Sequence, residues 1–128
     1  MLKSPVTLVT PEVSGPTPLH HRRVSTANVN AANVKAGAGR LLGVQITNVK
    51  GSSAAVFLKL YDKATSPTVG TDTILKTLAC PSGQSVNFQF PMGIYFSAGI
   101  SLGITADMVD SSTTGVGAAD CIIHLDYV

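Results

Sequence analysis

The sequence predicts an all-β chain, an antiparallel β-sandwich that is jelly-roll-like and is preceded by an extended N-terminal arm. Three observations carry this expectation. Apolar and polar residues alternate with a period of two through run after run, clusters of Gly, Pro and Ser separate the runs at short and fairly even intervals, and no stretch of useful length has a helical period. The 128 residues are the size of one domain.

Taken in order, residues 1–24 carry Pro5, Pro11, Pro16 and Pro18 with Gly15. Prolines lack a backbone donor and fix φ, so this segment is read as an extended arm, ending in the basic cluster His20-His21-Arg22-Arg23. Residues 25–128 are read as a single sandwich domain. A weak strand signal spans Ser25 to Val34, and Lys35-Ala36-Gly37-Ala38-Gly39 is a turn. In Val44-Gln45-Ile46-Thr47 the apolar residues share one face. In Val56 to Tyr61 the set Val56, Leu58, Leu60 opposes Phe57, Lys59, Tyr61. Turns at residues 50–53 and at Ser66-Pro67 bracket this strand and its exit, and another weak strand covers Thr73 to Ala79.

Pro81-Ser82-Gly83 turns the chain into the cleanest alternation, Val86, Phe88 and Phe90 against Ser85, Asn87 and Gln89, which Pro91-Met92-Gly93 is expected to break. After Ser97-Ala98-Gly99, Ile100, Leu102 and Ile104 alternate with Ser101, Gly103 and Thr105. Residues 107–117 form the longest core loop and are expected to project from one end. The last strand sets Cys121, Ile123, Leu125 and Tyr127 against Ile122, His124, Asp126 and Val128.

Hydrophobic residues make up 45% of the chain and charged ones 12%. An ordinary soluble chain is about 25% charged, so the surface here has to be built largely from Ser, Thr, Asn, Gly and Ala, and extensive disorder is excluded. The net charge of +2 is too small and too dispersed for a nucleic-acid binder. It conceals an asymmetry. Residues 1–63 hold eight Lys and Arg against two acids, while residues 64–128 hold one Lys against five Asp. The two halves either meet head to tail between molecules, or interleave in the fold so that the surface averages out; interleaving is the expectation. No window approaches the length of apolar sequence that crosses a membrane, and the start lacks the pattern of a secretory signal. Cys80 and Cys121 are expected to be buried reduced thiols, bridged only if their strands are neighbours.

No catalytic constellation is present. The three histidines are His20, His21 and His124, and although His124 shares a face with Asp126, no nucleophile motif accompanies them. Glu12 is the single glutamate, and it lies in the arm. Asp107, Asp110 and Asp120 lack the spacing of a calcium loop, and Gly37-Ala38-Gly39-Arg40 lacks the following helix of a phosphate cradle. No cofactor or metal is expected. The candidate partner-binding residues are His20, His21, Arg22 and Arg23. Tyr61, Tyr95, Tyr127 and Phe57 are the candidate stacking platforms for a glycan, and the absence of Trp argues against a lectin.

From Gly39-Arg40-Leu41-Leu42-Gly43-Val44 through Phe57-Leu58-Lys59-Leu60-Tyr61-Asp62-Lys63-Ala64, Pro67 to Asp72, the Phe90-Pro91-Met92-Gly93-Ile94 corner and Phe96-Ser97-Ala98-Gly99-Ile100 to the closing strand, the sequence resembles small all-β virion proteins of tailed bacteriophages. The likeness spans residues 25–128 and leaves the arm outside it. It implies a non-enzymatic capsid decoration (cement) protein on the capsid surface. Its partners would be the major capsid protein and itself as a homo-oligomer, a trimer or dimer; the charge and hydropathy read above point to no membrane and argue against nucleic acid. The alternative is a tail, neck or fibre module that recognises a host-surface glycan or receptor through the 107–117 loop and nearby tyrosines. The resemblance assigns no catalytic or ligand residue.

Overall fold

The computed structural model describes residues 17–49 and 54–128; most of the proline-rich arm, including Glu12, and the turn at residues 50–53 lie outside the described residues. Among the described residues eight strands follow one another: β1 (Leu19–Val24), β2 (Ala32–Lys35), β3 (Gly39–Asn48), β4 (Val56–Asp62), β5 (Lys76–Cys80), β6 (Ser85–Phe96), β7 (Ile100–Thr105) and β8 (Cys121–Tyr127). They form two four-stranded sheets, β1-β8-β3-β6 (the front sheet) and β2-β7-β4-β5 (the back sheet).

The pairings β1 with β8, β2 with β7, β3 with β6 and β4 with β5 are all antiparallel, so the chain is one long hairpin whose tip is the β4–β5 connection. Rolling that hairpin brings β3 against β8 and β4 against β7, which closes each sheet. This is the jelly-roll arrangement, and it meets the sequence expectation.

Alternation decides what faces inward. Leu41, Val44 and Ile46 of β3 and Cys121, Ile123 and Leu125 of β8 meet Val56, Leu58 and Leu60 of β4 and Ile100, Leu102 and Ile104 of β7 across the interior, all of them buried. Val86, Phe88 and Phe90 of β6 pack against this core from the edge of the front sheet. Cys80 and Cys121 are both free and buried, and burial raises both thiols above their ordinary range.

Four details differ from the sequence expectation. The sandwich begins before residue 25, because Leu19–Val24, counted with the arm, is strand β1, paired to β8 from Leu19↔Tyr127 to Val24↔Ile122. Its inward positions are His21 and Arg23, so the hydrophobic half of the alternation that marks a strand is missing. Second, β6 runs on through Pro91-Met92-Gly93. Its register with β3 shifts there, placing Leu42 opposite residues 90–93 in a wide bulge that absorbs the proline, which has no N–H to pair.

Third, the outward face of β4 and β7 is covered over most of its length, while Ala79 of β5 stays exposed. Lys59, Tyr61, Ser101 and Thr105 are all buried, because the β4–β5 connection and the 106–117 segment lie over that face as a third layer. Val69 of the first packs on Gly103, where a Cβ would come within 2.5 Å of its Cγ2. Fourth, the 107–117 loop does not project freely. The Lys59 ammonium donates to the Val109 carbonyl at 2.5 Å, Val116 N–H donates to Asn28 O, and Val116 is buried. An outward lysine sealed under a layer needs an acceptor, and the loop backbone supplies it.

Candidate interaction surface

With much of the back face covered by its own chain, the front sheet presents the open face among the described residues. Register arranges its outward side chains in transverse rows. Val24, Ile122, Thr47 and Ser85 form the first, Arg22, His124, Gln45 and Asn87 the second, and His20, Asp126, Gly43 and Gln89 the third. Beyond them Arg40 stands beside Tyr95, its guanidinium 5.4 Å from the ring centroid, and donates to the Met92 carbonyl at 3.3 Å. Hydroxyls and amides dominate the β3–β6 half: Gln45 donates to Ser85 Oγ at 3.2 Å, and Thr47 and Ser85 share a hydrogen bond at 3.0 Å.

The basic cluster singled out from sequence divides across this strand. His20 and Arg22 point outward, while His21 and Arg23 point into the gap at the sandwich edge, on the side of the buried Leu125 and Ile123. Burial, then the charge of Arg23 and of His20, lowers the pKa of His21. Inward-pointing basic residues on an edge strand oppose further strand addition, and at the opposite edge Lys76 sits 5.9 Å over the Phe90 ring in the same manner.

Outward, His20 forms a link that the sequence did not indicate. His124 and Asp126 do not bond each other directly; His20 Nδ1 meets Asp126 Oδ1 at 2.7 Å and its Nε2 meets His124 Nδ1 at 2.9 Å. With His20 neutral, its Nδ1–H donates to the carboxylate and its Nε2 accepts from His124. Burial, then His20 and Arg22, lowers the pKa of His124, against the opposing pull of Asp126. The chain of three groups ties the edge strand β1 to β8 by side chains as well as backbone.

At the far end of the open face lies a cleft of about 330 Å³ lined by Lys35, Ala38, Gly39, Arg40, Tyr95 and Val128. Gly39 keeps its floor low, since a Cβ there would sit 2.6 Å from Val128 O and 3.0 Å from Lys35 Cδ. Tyr95 and Met92 beside it are 56% and 86% exposed. Of the other candidate platforms Tyr61 is buried and Phe57 and Tyr127 are half-buried, so Tyr95 alone presents an open ring.

The three aspartates do not converge. Asp120 accepts from Gly117 N–H at 2.8 Å and Asp107 from Ser112 Oγ at 3.3 Å, and among the described residues no group of three or more His, Cys, Asp or Glu is arranged to hold a metal ion. No helix among the described residues is long and apolar enough to cross a membrane.

No family model and no curated protein matches this chain. Among solved structures it is similar to a Bacillus endospore appendage protein from a family of disulfide-linked pili, at 15% identity over 87% of this chain and 82% of that one, with a TM-score of 0.42. It is also similar to the Tobacco streak virus coat protein, at 11% identity over 89% of this chain and 88% of that one, with a TM-score of 0.33. Likenesses at these scores assign no function to this chain.

Proposed function

We propose that this chain is a non-enzymatic structural protein that works through its surfaces, and specifically a decoration (cement) protein that binds the assembled head of a tailed phage at the capsid surface and reinforces it. The observation that carries the reading is the asymmetry of the sandwich. One sheet face is largely covered by the chain's own loops, while among the described residues the other is left open as rows that include amides, hydroxyls and two arginines. A rigid sheet with its side chains already ordered loses little entropy on contact, so many small interfaces sum to a stable shell. The resemblance of residues 25–128 to phage virion proteins supports a place in the virion. The partners are then the major capsid protein and further copies of this chain.

The test is the copy number per particle, measured by quantitative mass spectrometry of purified virions against the major capsid protein. A stoichiometry comparable to that of the capsid protein is expected. A handful of copies points instead to a neck, tail or fibre position and to receptor recognition, and overturns the decoration role. Absence from the particle overturns the virion reading.

A further inference from the structure

The two halves of the sequence, one basic and one acidic, do interleave: each sheet takes strands from both. The charges nevertheless separate by face. On the open front, Arg22 and Arg40 outnumber Asp126, and at its end the cleft is bordered by two cations, Arg40 and Lys35 of the back-sheet edge strand β2. On the back layer, Asp72 is spent on Lys63 at 2.7 Å, Lys59 is sealed beneath the loop, and the tip reads Asp107-Met108-Val109-Asp110. Met108 and Val109 are 68% and 63% exposed, an apolar pair between two carboxylates. Opposite them in kind, the front cleft offers the Tyr95 ring with Lys35 and Arg40, and the exposed Met92, whose carbonyl accepts from Arg40, lies outside its lining. Aromatic, Met and Arg side chains are the types enriched at the centres of protein interfaces.

We infer that copies of this chain associate front to back, the Lys35–Arg40–Tyr95 cleft of one receiving the Met108–Val109 tip of the next, with Asp107 and Asp110 against the two cations. This rests on the reading that the chain works by assembly, and names the partner and geometry. A contact between two different patches is heterologous, so it propagates into rings or open stacks and does not stop at a two-fold dimer. That departs from the dimer expected from sequence, and it gives the three-fold cluster only where the rotation closes at three. The single Lys59 charge below the loop leaves the tip net acidic, and the loop is held by Val109 and Val116 rather than free, so little ordering is needed to bind.

The experiment is sedimentation velocity of the full chain over a concentration series, with two charge-reversed variants, Lys35→Glu/Arg40→Glu and Asp107→Lys/Asp110→Lys. Wild type is expected to grow beyond a dimer, each reversed variant to stay monomeric at the same concentrations, and an equimolar mixture of the two to regain association, since the reversed cleft of one then meets the reversed tip of the other. A wild type that stays monomeric or stops at a dimer overturns the proposal, as does unchanged assembly of both variants or a mixture that stays monomeric. Reversal beside Lys59 threatens the fold, so Met108→Ser/Val109→Ser serves as a second variant that keeps every charge; association weakened about tenfold is expected, and no change overturns the contact. Circular dichroism confirms that each variant is folded. The copy number per particle is read separately, so stacking and the virion role fail independently.

Discussion

Substituting Gly103 by alanine tests whether the back face is sealed, on which the distinction between the two faces depends. Gly103 sits in the middle of β7, paired to Lys59 of β4, with Val69 of the overlying connection pressed onto it. A Cβ there lies 2.5 Å from Val69 Cγ2, 3.5 Å from Val29 O and 3.6 Å from Tyr61 Cε2. Carbon atoms rest at about 3.5–4.0 Å, so Val69 has to retreat by about 1 Å or more. The strand itself cannot yield, being hydrogen-bonded to β2 and β4. Overpacking of this kind costs about 1–3 kcal/mol. For a chain of this length that lowers the melting temperature by about 4 °C per kcal/mol, or about 4–12 °C in all.

The compensating change is Val69→Ala. Alone it removes two methyl carbons from a nearly buried site, a loss of about 1.5 kcal/mol. In the double variant the new methyl occupies the space the valine vacated, so the two effects are expected to be less than additive by about 1 kcal/mol or more. Thermal melts of the wild type, both single variants and the double variant measure this directly. A Gly103→Ala protein melting with the wild type, or strictly additive losses, would refute a layer seated on β7.

Three further outcomes are expected. The Asp62 carboxylate accepts from Ser97 N–H and Oγ–H, Ala98 N–H and Gly99 N–H at 2.7–3.2 Å; burial pushes its pKa up, but these donors outweigh it and hold the group below its ordinary range. Its contribution is therefore present above the unfolded value of 3.8 and is lost as pH falls through the lowered folded value, and Asp62→Ala, at an exposed site where water replaces part of the loss, is expected to cost about 1 kcal/mol in a urea titration at neutral pH and nothing at a pH where the carboxyl is protonated in both states. The lowered pKa values of His124 and His21 mean that the unfolded chain takes up protons first as pH drops through about 6.5, so stability falls on acidification from pH 8 to about 5, and His124→Gln flattens part of that slope; a melting temperature that rises over this range is incompatible with the His20–His124 arrangement. Finally, burial of Cys80 and Cys121 together with their raised thiol pKa values makes both slow to react with a thiol reagent in the native protein, with both reacting rapidly once denaturant is added, and fast native labelling of either would place it outside the core.

The strands that the sequence marked well are those in which the core face is made of apolar residues and the other face of hydroxyls and amides. β6 shows this through Val86, Phe88 and Phe90, and β8 through Cys121, Ile123 and Leu125, and both lie where alternation places them. Strand β1 was hidden because its inward residues are His21 and Arg23, a pattern that guards an edge and imitates a solvated arm. The candidate partner residues were found by their charge, but their division between the two sides of β1 follows only from the pairing Arg22↔His124 and Arg23↔Ile123. Most of the open face was legible as alternating polar positions on β3, β6 and β8, though not as one surface, since residues 40 apart in sequence come side by side in Gln45 and Ser85.

What the sequence determined by itself is local: which segments are strands, which side of each is apolar, and where Gly, Pro and Ser turn the chain. Periodicity and turn chemistry act over a few residues, so they can be read without knowing any partner. The tertiary structure decided which outward face stays open. Lys59, Tyr61, Ser101 and Gly103 alternate as solvated positions do, yet they are buried because distant segments, the β4–β5 connection and the 106–117 loop, fold over them. It also brought His20 between His124 and Asp126, and gathered Arg40, Tyr95 and Lys35 around one cleft. Those contacts join residues far apart in the chain, and only the rolling of the long hairpin into two sheets brings them within reach.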